Sequence, residues 1–266
     1  MSDYLYFLIW PFLACIVLVG IHVYFGLHVI RRGIIFVDLS LAQVAALGMT
    51  VAFLLGHEPD HTIAYLFSLG FALLGATIFT LTRNIQGKVP QEAIIGIVYA
   101  VSSAAAILAV SRQPEGAEHI RYLLVGSLLT VSPAMVVKTA LVYAVLGAFH
   151  WIYRSRFLAL TFSKDNPPRA GWWDFIFYAT FAMVVTSSVE ICGVLVVFVF
   201  LVVPSVFAAL MTDRIGLRLV FGWLFGLAGS ALGIVLSFVL DTPTGATIVC
   251  TFGVLLLVYG GVRRLR

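Results

Sequence analysis

Nine long apolar stretches, each nearly free of charge, follow one another along this chain and restrict its fold more than any other feature. A helix that crosses a bilayer needs about 20 predominantly apolar residues. In lipid only helices and closed barrels satisfy their own backbone polar groups, and uninterrupted runs of this length are helical. On that measure the sequence predicts helices at roughly 5–28, 34–56, 62–83, 92–111, 134–153, 174–191, 194–211, 217–240 and 245–262. The expected fold is an all-α, polytopic membrane helix bundle of eight or nine segments. The segment at 194–211 is short and contains Pro204, so eight crossings plus one re-entrant piece is the alternative to nine. Composition agrees, at 62% hydrophobic residues and a mean hydropathy of +1.08, against roughly 45–50% apolar in soluble domains. Only 11% of residues are charged, too few to coat a globule. The formal charge of +4 resides in loop arginines, which points to lipid and not to nucleic acid as the surrounding partner.

The loops set the expected orientation. Arg31, Arg32, Arg83, Lys88, Arg154, Arg156, Lys164, Arg169, Arg214, Arg218, Arg263, Arg264 and Arg266 fall on one side, 13 of the 16 basic residues. Arg112, Arg121 and Lys138 fall on the other. The positive side is normally cytoplasmic, which places the N-terminus outside and the C-terminal RRLR inside. The alternation holds through every loop only if 194–211 crosses, which favours nine crossings. The first run, from Tyr4, has no basic region ahead of it and no small-residue cleavage site behind it, so it reads as a retained span.

The outer loops are acidic or carry histidine: HEPDH at 57–61 and RQPEGAEHIR at 112–121. The following YLLVGSLLTVSP is too short to span and reads as an interfacial or re-entrant helix. The longest inner loop, 154–171, is basic and holds a Pro-Pro pair that cannot continue a helix. Cys15, Cys192 and Cys250 sit in apolar runs without metal or redox spacing and read as small buried hydrophobes. Gly222, Gly226, Gly229, Ser230 and Gly233 form a small-residue seam suited to close helix packing in lipid.

Catalytic motifs are missing. No G-x-x-x-x-G-K-[ST] phosphate loop occurs, and NIQGKVP lacks its first glycine and its hydroxyl. Nor is there an H-E-x-x-H, a G-x-S-x-G or a pair of membrane aspartates, so the chain does not read as an enzyme. Polar residues at membrane depth are few, and such groups usually face protein or a water-filled path. RRGIIFVDLSLAQVAALGMTVAFLLG, at 31–56, carries three of them: Asp38, Ser40 and Gln43. Asp38 would lie about 6 Å into its helix and Gln43 about 13 Å, near the midplane. A helix-start carboxylate paired with Arg31 or Arg32 is the structural alternative for Asp38, and an interhelical hydrogen bond the alternative for Gln43. Glu190 reads as an interfacial carboxylate, and His22 and His28 as packed or snorkelling side chains.

The pattern RRG…D-x-S-x-A-Q…A-x-G-x-x-x-A-F resembles the second helix of the membrane permeases of ABC-type zinc, manganese and iron importers. QEAIIGIVYAVSSAAAILAVS at 91–111 is similar to that family's D/E-A-x-I-G-I helix. YLLVGSLLTVS at 122–132 is similar to its Y-L-x-G-x-I-L-x-V-S segment. ICGVLVVFVFLVVPSVFAALMTDR and LSFVLDTPTGATIVC resemble its G-x-L-L-V…L-x-P-A-x-x-A segment and its L-D-x-P-x-G-A signature. Each motif alone is weak, but together, in order, they cover residues 30–263.

The resemblance implies a single transmembrane permease domain over 1–266 in the cytoplasmic membrane, paired with a second permease subunit, as a homodimer or with a related chain. It implies a soluble ATPase subunit below, with ATP bound there and no cofactor on this chain, and an extracytoplasmic metal-binding protein above. The cargo would be a divalent metal ion, with Asp38 and Gln43 on its transit path. The connection at 211–218 would contact the ATPase through Arg214 and Arg218. One departure stands out. The family pattern is Asp-x-x-x-His, whereas here Gln43 replaces the histidine and Asp38 lies one position earlier. Five residues apart on a 3.6-residue helix is about 140°, so Asp38 and Gln43 would not share a face. An amide oxygen is also a poorer zinc ligand than imidazole. A weak transit site, a different metal and a non-metal substrate all remain open, and a secondary carrier or ion channel without an ATPase is the alternative function.

Overall fold

The computed structural model describes residues 2–58, 62–83, 89–111, 126, 128–163 and 169–264. Among them are nine α-helices and no strand: α1 (Ser2–Arg32), α2 (Val37–Leu54), α3 (Thr62–Thr82), α4 (Gln91–Val110), α5 (Pro133–Ile152), α6 (Arg154–Phe162), α7 (Ala170–Met211), α8 (Ile215–Leu240) and α9 (Thr244–Arg264). All but α6 are long and apolar enough to cross a membrane, eight helices in total among the described residues.

The expected segments agree with these helices within a few residues, apart from three local differences. First, the segments expected at 174–191 and 194–211 follow each other without a loop, as two helices that meet at a kink within α7 (42 residues), at the one non-helical position, Gly193 at φ 75°, ψ 164°. At about 1.5 Å per residue the parts before and after this glycine each come close to the ~30 Å of a hydrocarbon core. The interruption is at this glycine, which alone tolerates such a backbone, and not at Pro204, through which the helix continues to Met211. Second, part of the inner loop at 154–171 is helical, as α6. Third, Cys15 and Cys192 are buried as expected, but Cys250 is exposed. It lies on α9, several of whose apolar side chains point outward to where lipid would be. Several expectations involve positions outside the described residues: 59–61 of HEPDH, 84–88 around NIQGKVP, 112–121 of the acidic loop, and 121–125 and 127 of the expected interfacial helix. What is described of that last stretch contains a 3-10 turn, Leu128–Thr130.

The chain divides into two compact units. The first comprises 1–30, 124–145 and 190–266. In it the small-residue seam of α8 works on both sides. A Cβ at Gly226 would lie 2.5 Å from Val19 of α1, and one at Gly233 would lie 2.8 Å from Ile248 of α9. Pro204 sits against the same seam, its Cγ 3.6 Å from the Cβ position of Gly226. Ser205 Oγ donates to Val23 O at 3.3 Å, tying α7 to α1. Gly126, at φ 65°, presses on the α7 break: its Cβ would lie 2.2 Å from the backbone of Cys192 and of Gly193. Two of the motif segments therefore meet here.

The second unit comprises 31–123 and 146–189. Helix α2 is buried on nearly every side, and α3 and α4 pack against it. Gly48 permits the closest approach, since a Cβ there would lie 2.6 Å from Phe67 O. Ser68 Oγ donates to Ala45 O at 2.9 Å across the same contact. Helix α6 buries Phe157 and Leu160, one turn apart. The His150 ring stacks on Phe157 at 4.1 Å, and Trp173 meets it edge-on at 5.6 Å.

Candidate functional site

Asp38 stands in the first turn of α2, where a carboxylate is favoured by the exposed N–H groups of the helix start. It is fully buried, and neither carboxylate oxygen has a hydrogen-bond partner among the described residues. The pairing with Arg31 or Arg32 considered from sequence does not occur. Arg32 turns away to Asp174, with Nη1 3.0 Å from Oδ1, and its guanidinium lies over the Phe177 ring at 4.1 Å. Arg31 lies over Phe162 at 5.8 Å.

A second acid, Glu92 in the first turn of α4, reaches the start of α2. Glu92 Oε1 accepts the backbone N–H of Phe36, the residue that caps α2, at 3.0 Å. Its other oxygen, Oε2, is buried without a partner among the described residues. Ser40, one turn into α2, is likewise fully buried with an unpartnered Oγ. Two carboxylates and a hydroxyl thus gather around the start of α2 with oxygen lone pairs left over. Burying a charged or polar group without partners is costly. The arrangement suits a cation or a proton held by oxygen.

Gln43 is 9% exposed and makes no hydrogen bond among the described residues. Both Gln43 and Asp38 are buried on α2, five positions apart on a regular helix, so they leave it in directions about 140° apart. No three of His, Cys, Asp and Glu gather closely enough to hold a metal ion among the described residues. His22 is buried in the first unit, its Nδ1 2.7 Å from Leu18 O, and His28 is packed edge-on to Tyr24 at 4.8 Å. Glu190 is half-buried on α7, three residues before Gly193.

The connection after α7 is short and ordered from within. Arg218 Nε donates to Thr212 O at 2.6 Å, and its Nη2 lies 2.9 Å from the exposed carboxylate of Asp213. Arg214 caps α8, its N–H donating to Thr212 Oγ1 at 3.3 Å, and its side chain is exposed. On the other flank, Arg263 Nη1 of α9 donates to Leu210 O at 2.6 Å, and Tyr259 Oη donates to Met211 Sδ at 2.9 Å. Of the two arginines expected to meet an ATPase, Arg214 is available at the surface, while Arg218 shapes the loop.

Sequence reasoning did not single out Glu92 or Asp174. The signal for Glu92 was available: an acid at the second position of an apolar helix, as Asp38 is in its own.

The chain is 26% identical over 208 residues to the chelated iron transport system membrane protein YfeC of Yersinia pestis, covering 73% of this chain and 70% of that protein. It is 23% identical over 201 residues to the manganese transport system membrane protein MntB of Synechocystis, covering 72% and 65%. The solved structure of PsaBC from Streptococcus pneumoniae in complex with Fab shares the fold, with a TM-score of 0.77 at 20% identity over 95% of this chain and 90% of that one. A family model matches nearly the whole length, residues 4–261, and the chain belongs to the ABC 3 transport family.

Proposed function

We propose that this chain is the permease subunit of an ATP-binding-cassette importer that moves a divalent metal ion of the manganese or iron class through the cytoplasmic membrane. The observation that carries the reading is the acid pair at the start of α2, Asp38 fully buried and Glu92 half-buried. Asp38 and Glu92, with Ser40 between them in chemistry, offer only oxygen donors. Carboxylate and carbonyl oxygen suit manganese, whereas zinc favours imidazole and thiolate. The relatives' names, iron and manganese transport, point the same way. Two carboxylates without a third ligand fit a station that a cation occupies and leaves, which transport requires.

The power source in this reading is a separate ATPase subunit, since the chain has no phosphate loop. A second permease subunit completes the membrane pair, an extracytoplasmic metal-binding protein delivers the ion, and Arg214 faces the ATPase. The excess of basic residues on one side supports a cytoplasmic C-terminus and an outer N-terminus. A secondary carrier is the weaker alternative, because the family is an ABC transport family.

The test is a complex of this chain with its ATPase, reconstituted in liposomes and offered manganese, iron or zinc. Manganese or iron should stimulate ATP hydrolysis and enter the vesicles. Asp38→Asn should lower uptake at least about tenfold, the effect of losing one charged contact of roughly 1.4 kcal/mol or more, at unchanged protein level. Uptake that survives this change intact would remove Asp38 from the route.

A further inference from the structure

Both arginines that the chain offers Asp38 locally are held elsewhere. Arg31 and Arg32 precede it by seven and six positions. Gly33, at φ 67°, turns the chain between them and α2. The exposed Arg31 lies over the Phe162 ring at 5.8 Å, at the end of α6. Arg32, the last residue of α1, is held on three sides. Its Nη1 donates to Asp174 Oδ1 at 3.0 Å, its Nε donates to Thr161 Oγ1 at 3.1 Å, and its guanidinium lies 4.1 Å from the centre of the Phe177 ring. Arg83 meets the other oxygen of Asp174, Oδ2, and has a further partner of its own. Asp174 is fully buried on α7, where a carboxylate is tolerated only with partners, and these partners are arginines.

The arginine cluster and the acid pair are neighbours on α4. Gln91 lines the same cavity as Arg32, about 160 Å³ in volume, and donates from Nε2 to Tyr178 Oη at 3.0 Å. Glu92, the next residue, holds the Phe36 N–H at 3.0 Å, two positions before Asp38. A guanidinium on its long, flexible stem, once released beside Gln91, has Glu92 and Asp38 as the acids next in reach. Oε2 of Glu92 and both oxygens of Asp38 have no partner among the described residues. Arginine takes carboxylates through two parallel hydrogen bonds. Settled on this pair, it would fill the oxygen lone pairs and cancel charge that the proposed route offers to a cation.

We propose that Asp174 is a positioning residue for transport: it keeps Arg32 off the Asp38–Glu92 pair, so that those oxygens stay open to the cargo ion. The inference rests on the transport reading above and adds to it a residue that acts through Arg32 and not by contact with the ion.

The bond between Arg32 and Asp174 can be broken from either end, and the two ends are not equivalent. Asp174→Asn leaves an arginine that has lost its anchor, whereas Arg32→Gln leaves none. Uptake of manganese(II) is followed against concentration in liposomes that hold the chain and its ATPase, with melting temperatures measured alongside. Asp174→Asn should raise the half-saturating manganese concentration about tenfold or more, with a smaller effect on the maximal rate, as an internal competitor does. Arg32→Gln should stay within about threefold of the parent, and Asp174→Asn combined with Arg32→Gln should return to that range.

Equal losses from the two ends are what a merely structural ion pair gives, and they overturn the proposal. So does parent-like uptake in Asp174→Asn, or a loss there that Arg32→Gln does not repair. Asp38→Asn, run in parallel, tests the route itself. If it leaves uptake intact, the transport reading fails; if it lowers uptake while the two ends of the bond behave alike, only the present inference fails. Should Asp174→Asn not fold, Arg32→Gln decides alone: parent-like uptake supports the proposal, and a rise of about tenfold in the half-saturating concentration overturns it.

Discussion

The Glu92 carboxylate holds the backbone N–H of Phe36 at 3.0 Å, so an acid that opens α4 closes the start of α2, the helix that carries Asp38. One side chain thereby serves two ends. It satisfies the Phe36 N–H at the start of α2, and it brings a second carboxylate to the helix start that carries Asp38. In the proposed route, stability and cation contact would be linked through the same group.

Those two roles separate by substitution. Glu92→Gln keeps an oxygen for the Phe36 N–H and removes the charge, so the melting temperature should stay close to that of the parent while metal uptake falls. Glu92→Ala removes the acceptor as well and should cost about a further 1 kcal/mol, as the loss of a helix cap does. Thermal unfolding of the purified chain, set beside uptake by the reconstituted complex, checks both. Equal losses of stability in the two variants would show that the amide does not replace the cap.

Gly126 should be among the least tolerant positions in the chain. A methyl group there would lie 2.2 Å from backbone atoms at Cys192 and Gly193, which cannot swing aside as a side-chain tip can, and φ is 65°. Overpacking and left-handed strain together should cost about 3 kcal/mol or more. Gly126→Ala is expected to leave little monodisperse protein on detergent size-exclusion chromatography. Gly147→Ala, on α5, is the control, because nothing lies within 4 Å of its Cβ position. It should behave as the parent, or slightly better, through helix propensity.

Arg214 and Arg218 should also part company. Arg214→Glu reverses an exposed charge on the connection between α7 and α8 and should reduce co-purification of the ATPase without lowering the melting temperature. Arg218→Ala removes the bond to Thr212 O and should cost about 1 kcal/mol of local order. Its bridge to Asp213 adds little, since that carboxylate is fully exposed. Arg218→Ala should therefore show its effect as weaker coupling of hydrolysis to uptake more than as lost docking. Pull-down stoichiometry and the ratio of ATP hydrolysed to ion imported distinguish the two.

The helices were legible in the sequence because a span of about 20 apolar residues is a local signal that needs no knowledge of its neighbours. What escaped was decided by distant contacts. Pro204 looked like a further break, yet the small-residue seam of α8 accommodates it and the helix continues through it; the kink falls where the two expected segments part, at Gly193. Helix α6 was hidden by its polar composition, although Phe157 and Leu160 stand one turn apart as a buried stripe. For Asp38 the arginines nearest in sequence seemed natural partners, but Arg32 is claimed by Asp174, 142 positions away. Spacing along the chain cannot reveal such a claim. Asp38 itself was visible as an acid inside an apolar run. Its neighbour Glu92 was visible only as a motif letter, since its task is to cap a helix 56 positions away.

The segment between α7 and α8 is gripped from both flanks, by Arg218 just downstream and by Arg263 from the last helix. A strap fastened at two points cannot slacken when pushed. Any displacement imposed on it from the water side would pass undamped into α8 and α9 together, making this small corner a stiff lever for the whole C-terminal pair.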